Sequence, residues 1–255
     1  MPQMKAIRVD EFGEPEVLNH VDIERPSPGK GEALIEVKSV GVNYADTMRR
    51  RNQYVEQQEL YFTPGSEIAG TVAEVGAGVE DVRVGDRVVT LLGTGGYAQY
   101  AAASARNLIP LPGGMDFDEA AAIPLQGLTA YHALETFGRL EEGEGVLVHA
   151  AAGGVGGLSV QMAKLMGASP VIATASTQEK LELAKDLGAD VLINYTEEDW
   201  AEQVREATDG NGADVILEMV GEDFPQKNLQ CLNVFGRRLS SGLRVGTGVA
   251  SCLLS

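Results

Sequence analysis

The stretch HAAAGGVGG, residues 149–157, sets Ala151, Gly153 and Gly156 at the three key positions of a G-x-G-x-x-G spacing, with alanine in the first. Small residues so spaced suit an anion. Gly153 lets the main chain approach a pyrophosphate, and Gly156 lets a helix pack close to the preceding strand. The main chain of Ala152, Gly153, Gly154, Val155 and Gly156 is then the candidate cradle, where free N–H groups and the helix dipole meet negative charge. The alternative is a tight strand-to-helix turn that binds nothing.

The next strand tip reads IATASTQEK, residues 172–180. Sites for an unphosphorylated ribose carry Asp or Glu about 20 residues past the glycines; here small and hydroxyl residues stand instead. A carboxylate about 4 Å from a 2′-phosphate costs roughly 4 kcal/mol at an effective dielectric near 20. Its absence permits NADPH, and Lys180 supplies a cation in the first helical turn. Lys180 as a solvated helix residue, and Ser176 and Thr177 as a helix cap, are the alternatives.

Such a loop works only between a strand and a helix. After Gly127 the chain alternates: apolar strands are expected at 145–149, 170–174, 190–194, 213–217 and 238–240. Helices are expected at 155–166, 178–187, 198–208 and 224–232. In the first helix Val155, Leu158, Met162, Leu165 and Met166 repeat at helical spacing. This rhythm implies a parallel sheet wound with helices. Before 124 the chain shows short runs, at 33–37, 68–75, 87–91 and 97–101, broken by Gly-Asp and Pro-Gly turns. That half reads as a largely antiparallel, barrel-like domain. The boundary falls near 124–127, giving domains of 1–125 and 126–255.

A length of 255 residues, 44% hydrophobic and 22% charged, suits a folded chain with a sizeable core. The net charge of −17 repels phosphate backbones and anionic lipid, so neither nucleic acid nor membrane is an expected partner. Scattered acids with few lysines are similar to the composition of proteins from salt-loving archaea. Cys231 and Cys252 form neither a disulfide framework nor a zinc cluster, and the first residues carry no apolar signal core; a cytoplasmic protein is expected.

The stretches GVNYAD (41–46), PGSEIAG (64–70), VRVGDRV (82–88), GLTA (127–130) and the glycine loop resemble the zinc-independent medium-chain dehydrogenases/reductases of quinone oxidoreductase type, over 4–242. The resemblance implies an α/β fold: an N-terminal GroES-like β-barrel catalytic domain, then a Rossmann doubly wound parallel sheet, with NADPH in the cleft between. Zinc-dependent relatives have Cys where Asn43 stands and His where Ser66 stands, before the retained Glu67. No metal is therefore expected. His20, His132 and His149 read as core or surface residues.

The resemblance also implies that Asn43 lies near the nicotinamide and that Thr129, Ser176, Lys180 and Tyr195 touch the cofactor. Asp46 joins them by ordering the Asn43 loop. Tyr54, at the expected substrate mouth, would stack on a ring or donate a proton. The bland alternatives are a turn residue for Asn43, interdomain packing for Thr129, a strand end for Tyr195 and a core role for Tyr54. The implied reaction is hydride transfer from nicotinamide C4 to a quinone or an α,β-unsaturated carbonyl. A quinone needs no strong acid, because the resulting oxyanion is delocalised. Beyond Gly242 the resemblance is expected to fade, which leaves the sheet incomplete, its last strand a bare edge and the family's homodimer in doubt. A catalytically idle NADPH-binding protein, or an inactive truncated product, is the alternative function.

Overall fold

The computed structural model describes residues 2–221 and 224–240. The chain forms two compact units, Met1–Leu125 and Gln126–Ser255. In the first, β1 (Gln3–Val9) and β2 (Leu18–Glu24) pair as an antiparallel hairpin. Strands β3 (Glu32–Val40), β4 (Glu67–Val75), β5 (Arg87–Leu91), β6 (Tyr100–Ser104) and β7 (Ile109–Pro110) form one antiparallel sheet in the order β6-β3-β4-β5-β7. Bridges Ala6–Ala98 and Val9–Phe62 fasten the hairpin beside it. Ala33, Ile35, Ile68, Val72, Val88 and Ala101 form the core on this sheet. Helix α1 (Tyr44–Arg50) leaves the end of β3, and α2 (Phe117–Ala121) packs on β4 and β5 through Ala120 and Ala121.

The second unit is doubly wound. Helix α3 (Pro124–Tyr131) begins at the unit boundary and runs into a π-helical turn, His132–Phe137. Then β8 (Val146–Val148), α4 (Gly154–Leu165), β9 (Val171–Ala175), α5 (Gln178–Asp186), β10 (Val191–Asn194), α6 (Trp200–Ala207), β11 (Ala213–Glu218), α7 (Phe224–Gln230) and β12 (Leu232–Ser240) alternate. The sheet is parallel throughout, in the order β10-β9-β8-β11-β12. Alternate residues of β8 show why helices cover both faces. Val146 and Val148 pack with Val160 and Ala163 of α4 and Ala184 of α5, while Leu147 packs with Trp200 and Val204 of α6. Because the chain winds outward in both directions from β8, the gap between β8 and β11 is a topological switch point. Crevices at the carboxyl ends of such strands are where α/β sheets bind ligands.

Three local expectations are corrected. The strand expected at 97–101 lies at Tyr100–Ser104, because the backbone of 97–98 pairs with the hairpin instead: Tyr97 O accepts from the Ile7 amide and Ala98 bridges to Ala6. β12 starts at Leu232, and the preceding helix ends at Gln230. A register shift opposite Ala213–Val215, with Phe235 in a left-handed conformation (φ 64°), accommodates the longer strand. Finally, α4 buries Gly156, Ser159, Val160 and Ala163, whereas Leu165 of the expected apolar face is 87% exposed. Close approach of the helix to β8 favours its small-residue face. The segment beyond 240, including Cys252, lies outside the described residues.

Candidate functional site

The glycine loop follows β8 at the switch point. Its geometry is set by Ala150, which holds φ +48°. For an L-residue this left-handed conformation costs about 1 kcal/mol, so neighbours must enforce it. They do so on both sides. The His149 amide donates to the Leu217 carbonyl at 3.0 Å, the Ala151 amide to Thr174 O at 3.0 Å, and the Gly153 amide back to Ala150 O at 2.8 Å. Gly153 then caps α4, whose first amides lack carbonyl partners in their own helix. Gly153 and Gly154 are exposed, Ala152 and Val155 half-buried, and Gly156 buried. A Cβ on Gly156 would lie 2.3 Å from Ala150 O and 2.9 Å from Ala151 Cα. Only glycine allows this approach of helix to loop. Exposed amides, a positive dipole end and a close-packed floor fit a dinucleotide pyrophosphate.

The neighbouring strand ends supply the rest of this edge. Ser176 and Thr177 follow β9, and Tyr195 follows β10, its amide donating to Ala175 O at 3.2 Å. Thr177 Oγ1 accepts from the Lys180 amide at 3.4 Å, so Thr177 does act as a helix cap. Lys180 is exposed in the first turn of α5, and Ser176 is half-buried beside it. The Tyr195 ring packs edge-on against Phe224 at 5.3 Å, so its ring is partly committed to the core. Thr129 is half-buried in α3, three residues after Gln126. Gln126 was not anticipated from sequence. Its carboxamide oxygen sits 2.0 Å from where a Gly154 Cβ would be, which places the first turn of α3 against the loop.

Glu218 was also missed. It is 2% exposed at the end of β11, across the switch point from the loop. One carboxylate oxygen accepts from the Val220 and Gly221 amides, each at 2.6 Å, and the other from Ser240 Oγ at 3.2 Å. Its role is to curl residues 219–221. In the sequence ILEMVG it reads only as a polar strand end.

In the first unit Asn43 caps α1 and is buried. Its amide N–H donates to Asp46 Oδ2 at 3.0 Å, and its side-chain Nδ2 donates to Glu67 Oε1 at 2.7 Å. Glu67 Oε2 accepts from the Leu125 amide at 2.8 Å. Asp46 also accepts from Tyr97 OH at 3.2 Å and from Ser66 Oγ at 3.3 Å. Burial, then the Asp46 charge, pushes the Tyr97 phenol up, so it stays a donor. Arg49, unremarked in the sequence, donates from Nη1 to Ser66 and lies 4.5 Å over the ring of Tyr54. Asp46 thus orders the Asn43 turn, and the half-buried Tyr54 has one face taken by a guanidinium. Asn43 and Ser66 share Asp46 as a hydrogen-bond acceptor, and among the described residues no group of three or more His, Cys, Asp or Glu could hold a metal ion.

The histidines differ. His20 and His132 are exposed, while His149 is fully buried, with burial pushing its imidazole down to about 4.

A parallel doubly wound sheet with a glycine cradle at its switch point, preceded by an antiparallel β unit, defines a nucleotide-dependent dehydrogenase or reductase. Comparison with known families agrees: an alcohol dehydrogenase GroES-like domain matches residues 29–113, and a zinc-binding dehydrogenase family matches residues 154–253. The second match runs past Gly242, where the resemblance was expected to fade. A quinone oxidoreductase from Pongo abelii is 38% identical over 243 residues, covering 94% of this chain and 74% of that one. A 2-haloacrylate reductase from a Burkholderia species is 40% identical, covering 91% and 71%. The crystal structure of Escherichia coli quinone oxidoreductase complexed with NADPH superposes with a TM-score of 0.90 at 38% identity, covering 96% and 76%. The chain belongs to the medium-chain dehydrogenase/reductase family, quinone oxidoreductase type.

Proposed function

We propose that this protein is an NADPH-dependent oxidoreductase that passes hydride to a quinone or an α,β-unsaturated carbonyl, with 126–255 binding the nucleotide and 1–125 supplying the acceptor side. The observation that carries the reading is the exposed glycine cradle at the switch point, beside a β9 tip built of Ala175, Ser176 and Thr177 with no carboxylate. The bound nicotinamide supplies the hydride. The amides of Ala152, Gly154, Val155 and Gly156 hold the diphosphate, with Gly153, its own amide bonded to Ala150, leaving room for it; Ser176 and Lys180 take the 2′-phosphate; Thr129 and Tyr195 line the same nucleotide; Asn43 meets the nicotinamide.

Asn43 suits that task because its backbone and amide are already fixed by Asp46 and Glu67. A fixed amide orients a ring without reorganising, which is where positioning gains its rate effect. Tyr54, with Arg49 stacked on one face, offers its other face and a hydroxyl to the acceptor. Two acceptor classes remain within this reading because the relatives include a quinone oxidoreductase and a 2-haloacrylate reductase. The test is NADPH oxidation against a quinone panel and an enone panel. Turnover with either supports the reading. NADPH binding with both panels inert reduces it to an idle nucleotide-binding protein.

A further inference from the structure

One buried group is left unused by that reading: His149, the first residue of the glycine-loop motif. Its ring is inaccessible and bonded at both nitrogens. Nε2 lies 2.7 Å from Asn228 Oδ1, an acceptor, so Nε2 carries the proton. Nδ1 then accepts from Thr174 Oγ1 at 2.8 Å. The ring edges meet Trp200 and Phe224 at centroid distances of 5.1 and 5.0 Å, an apolar wall that keeps the imidazole neutral. Asn228, also fully buried, has no partner for its Nδ2, so its position is given over to the histidine.

Thr174 is the hinge of this arrangement. Its carbonyl accepts from the Ala151 amide and its hydroxyl donates to the His149 ring. Both bonds flank Ala150, the left-handed residue on which the loop turns. One residue past Thr174 the β9 tip begins, with Ser176 and Thr177 beyond it. The separation of the glycine loop from that tip is therefore set by an imidazole of fixed length.

We propose that His149, through Thr174, is a positioning residue for the cofactor: it fixes the distance between the glycine-loop cradle and the β9 tip, and so the fit of a dinucleotide carrying a 2′-phosphate. This rests on the NADPH reading above. The contribution falls on cofactor affinity, because phosphate–amide bonds weaken steeply when donors move by fractions of an ångström. Turnover at saturating NADPH, which depends on the nicotinamide end, changes little.

The test compares the intact chain with His149→Phe, His149→Asn, Thr174→Val and the Phe/Val double variant, by NADPH fluorescence titration alongside thermal melting. Asparagine places an acceptor near Nδ1 and keeps the bond to Thr174; phenylalanine keeps the packing and loses it. The expected result is NADPH binding by the unsubstituted chain and about tenfold weaker binding by His149→Phe and Thr174→Val. His149→Asn stays within about threefold, and the double variant is no worse than either single. If His149→Phe does not fold, Thr174→Val carries the comparison, since valine matches threonine in shape. Variants that melt lower but bind NADPH as the unsubstituted chain does would overturn this inference alone and leave the histidine a packing residue. A fully additive double variant would overturn it as well. No NADPH uptake by the unsubstituted chain would remove both this inference and the reading beneath it.

Discussion

Gly156→Ala tests the geometry of the cradle. The new Cβ would sit 2.3 Å from Ala150 O, 2.9 Å from Ala151 Cα and 3.0 Å from Ala150 C. Contacts below 3.0 Å essentially do not occur, so the two segments must separate by about 0.7 Å at least. The obstructing atoms are backbone, pinned by the Ala151–Thr174 and Gly153–Ala150 hydrogen bonds, and cannot swing aside. Overpacking of this kind costs about 1–3 kcal/mol, a melting shift of about 4–12 °C for a unit of this size. The same displacement moves the α4 amides off a bound diphosphate and weakens NADPH about 10- to 100-fold. Gly153→Ala is the internal control, since its Cβ would meet only Ala150 O, at 3.2 Å. That variant should melt within about 3 °C of the parent, a cost below about 1 kcal/mol. Differential scanning fluorimetry and an NADPH titration read both. A Gly156→Ala protein that melts and binds like the parent, or a Gly153→Ala protein whose melting falls as far, would refute the packing argument.

Three other outcomes follow. Lys180→Ala should weaken NADPH about tenfold and leave NADH unchanged in parallel titrations, because the proposed site loses its cation for the 2′-phosphate. For His149, burial lowers the imidazole from 6.5 to about 4, opposed by the Asn228 bond and the Glu218 charge. The unfolded chain binds a proton as pH falls through 6.5 while the folded chain resists. This contribution to stability is therefore complete above pH 6.5 and drains by about 3 kcal/mol toward pH 4. Urea melts near pH 7.5 and 4.5 should show that loss, and His149→Asn should lack it. Asp46→Asn breaks a buried carboxylate that serves Asn43, Ser66 and Tyr97. It should cost about 1–3 kcal/mol in a melt and lower kcat while leaving the NADPH dissociation constant unchanged.

The parallel half was readable because its strands are short apolar runs that alternate with segments of helical length. The runs at 145–149 and 170–174 appear as Val146–Val148 and Val171–Ala175, and the helix after the loop starts at Gly154, one residue early. What failed there was the face of α4: hydrophobicity pointed to Leu165, but close approach at Gly156 selected alanine and serine. In the antiparallel half β2 has no buried residue, and three consecutive arginines, 49–51, close α1 and its C-cap. Two of them, Arg49 and Arg50, are nonetheless buried, reversing the usual polarity rule. Asn43 and Asp46 were singled out, yet their partners Ser66, Glu67 and Tyr97, and the Arg49 that bonds Ser66 in turn, come from three separate places in the chain. Glu218 and Gln126 carry no local signature; only the fold brings their oxygens to the 219–221 amides and to Gly154.

Isothermal titration of the purified chain with NADPH and NADH, at matched ionic strength, bears most directly on the central claim. One NADPH per chain, bound at least about tenfold more tightly than NADH, is the predicted result; this is the selectivity of a single extra phosphate contact. Equal affinities would contradict the acid-free β9 tip as the phosphate pocket, and no uptake of either nucleotide would contradict the cradle itself.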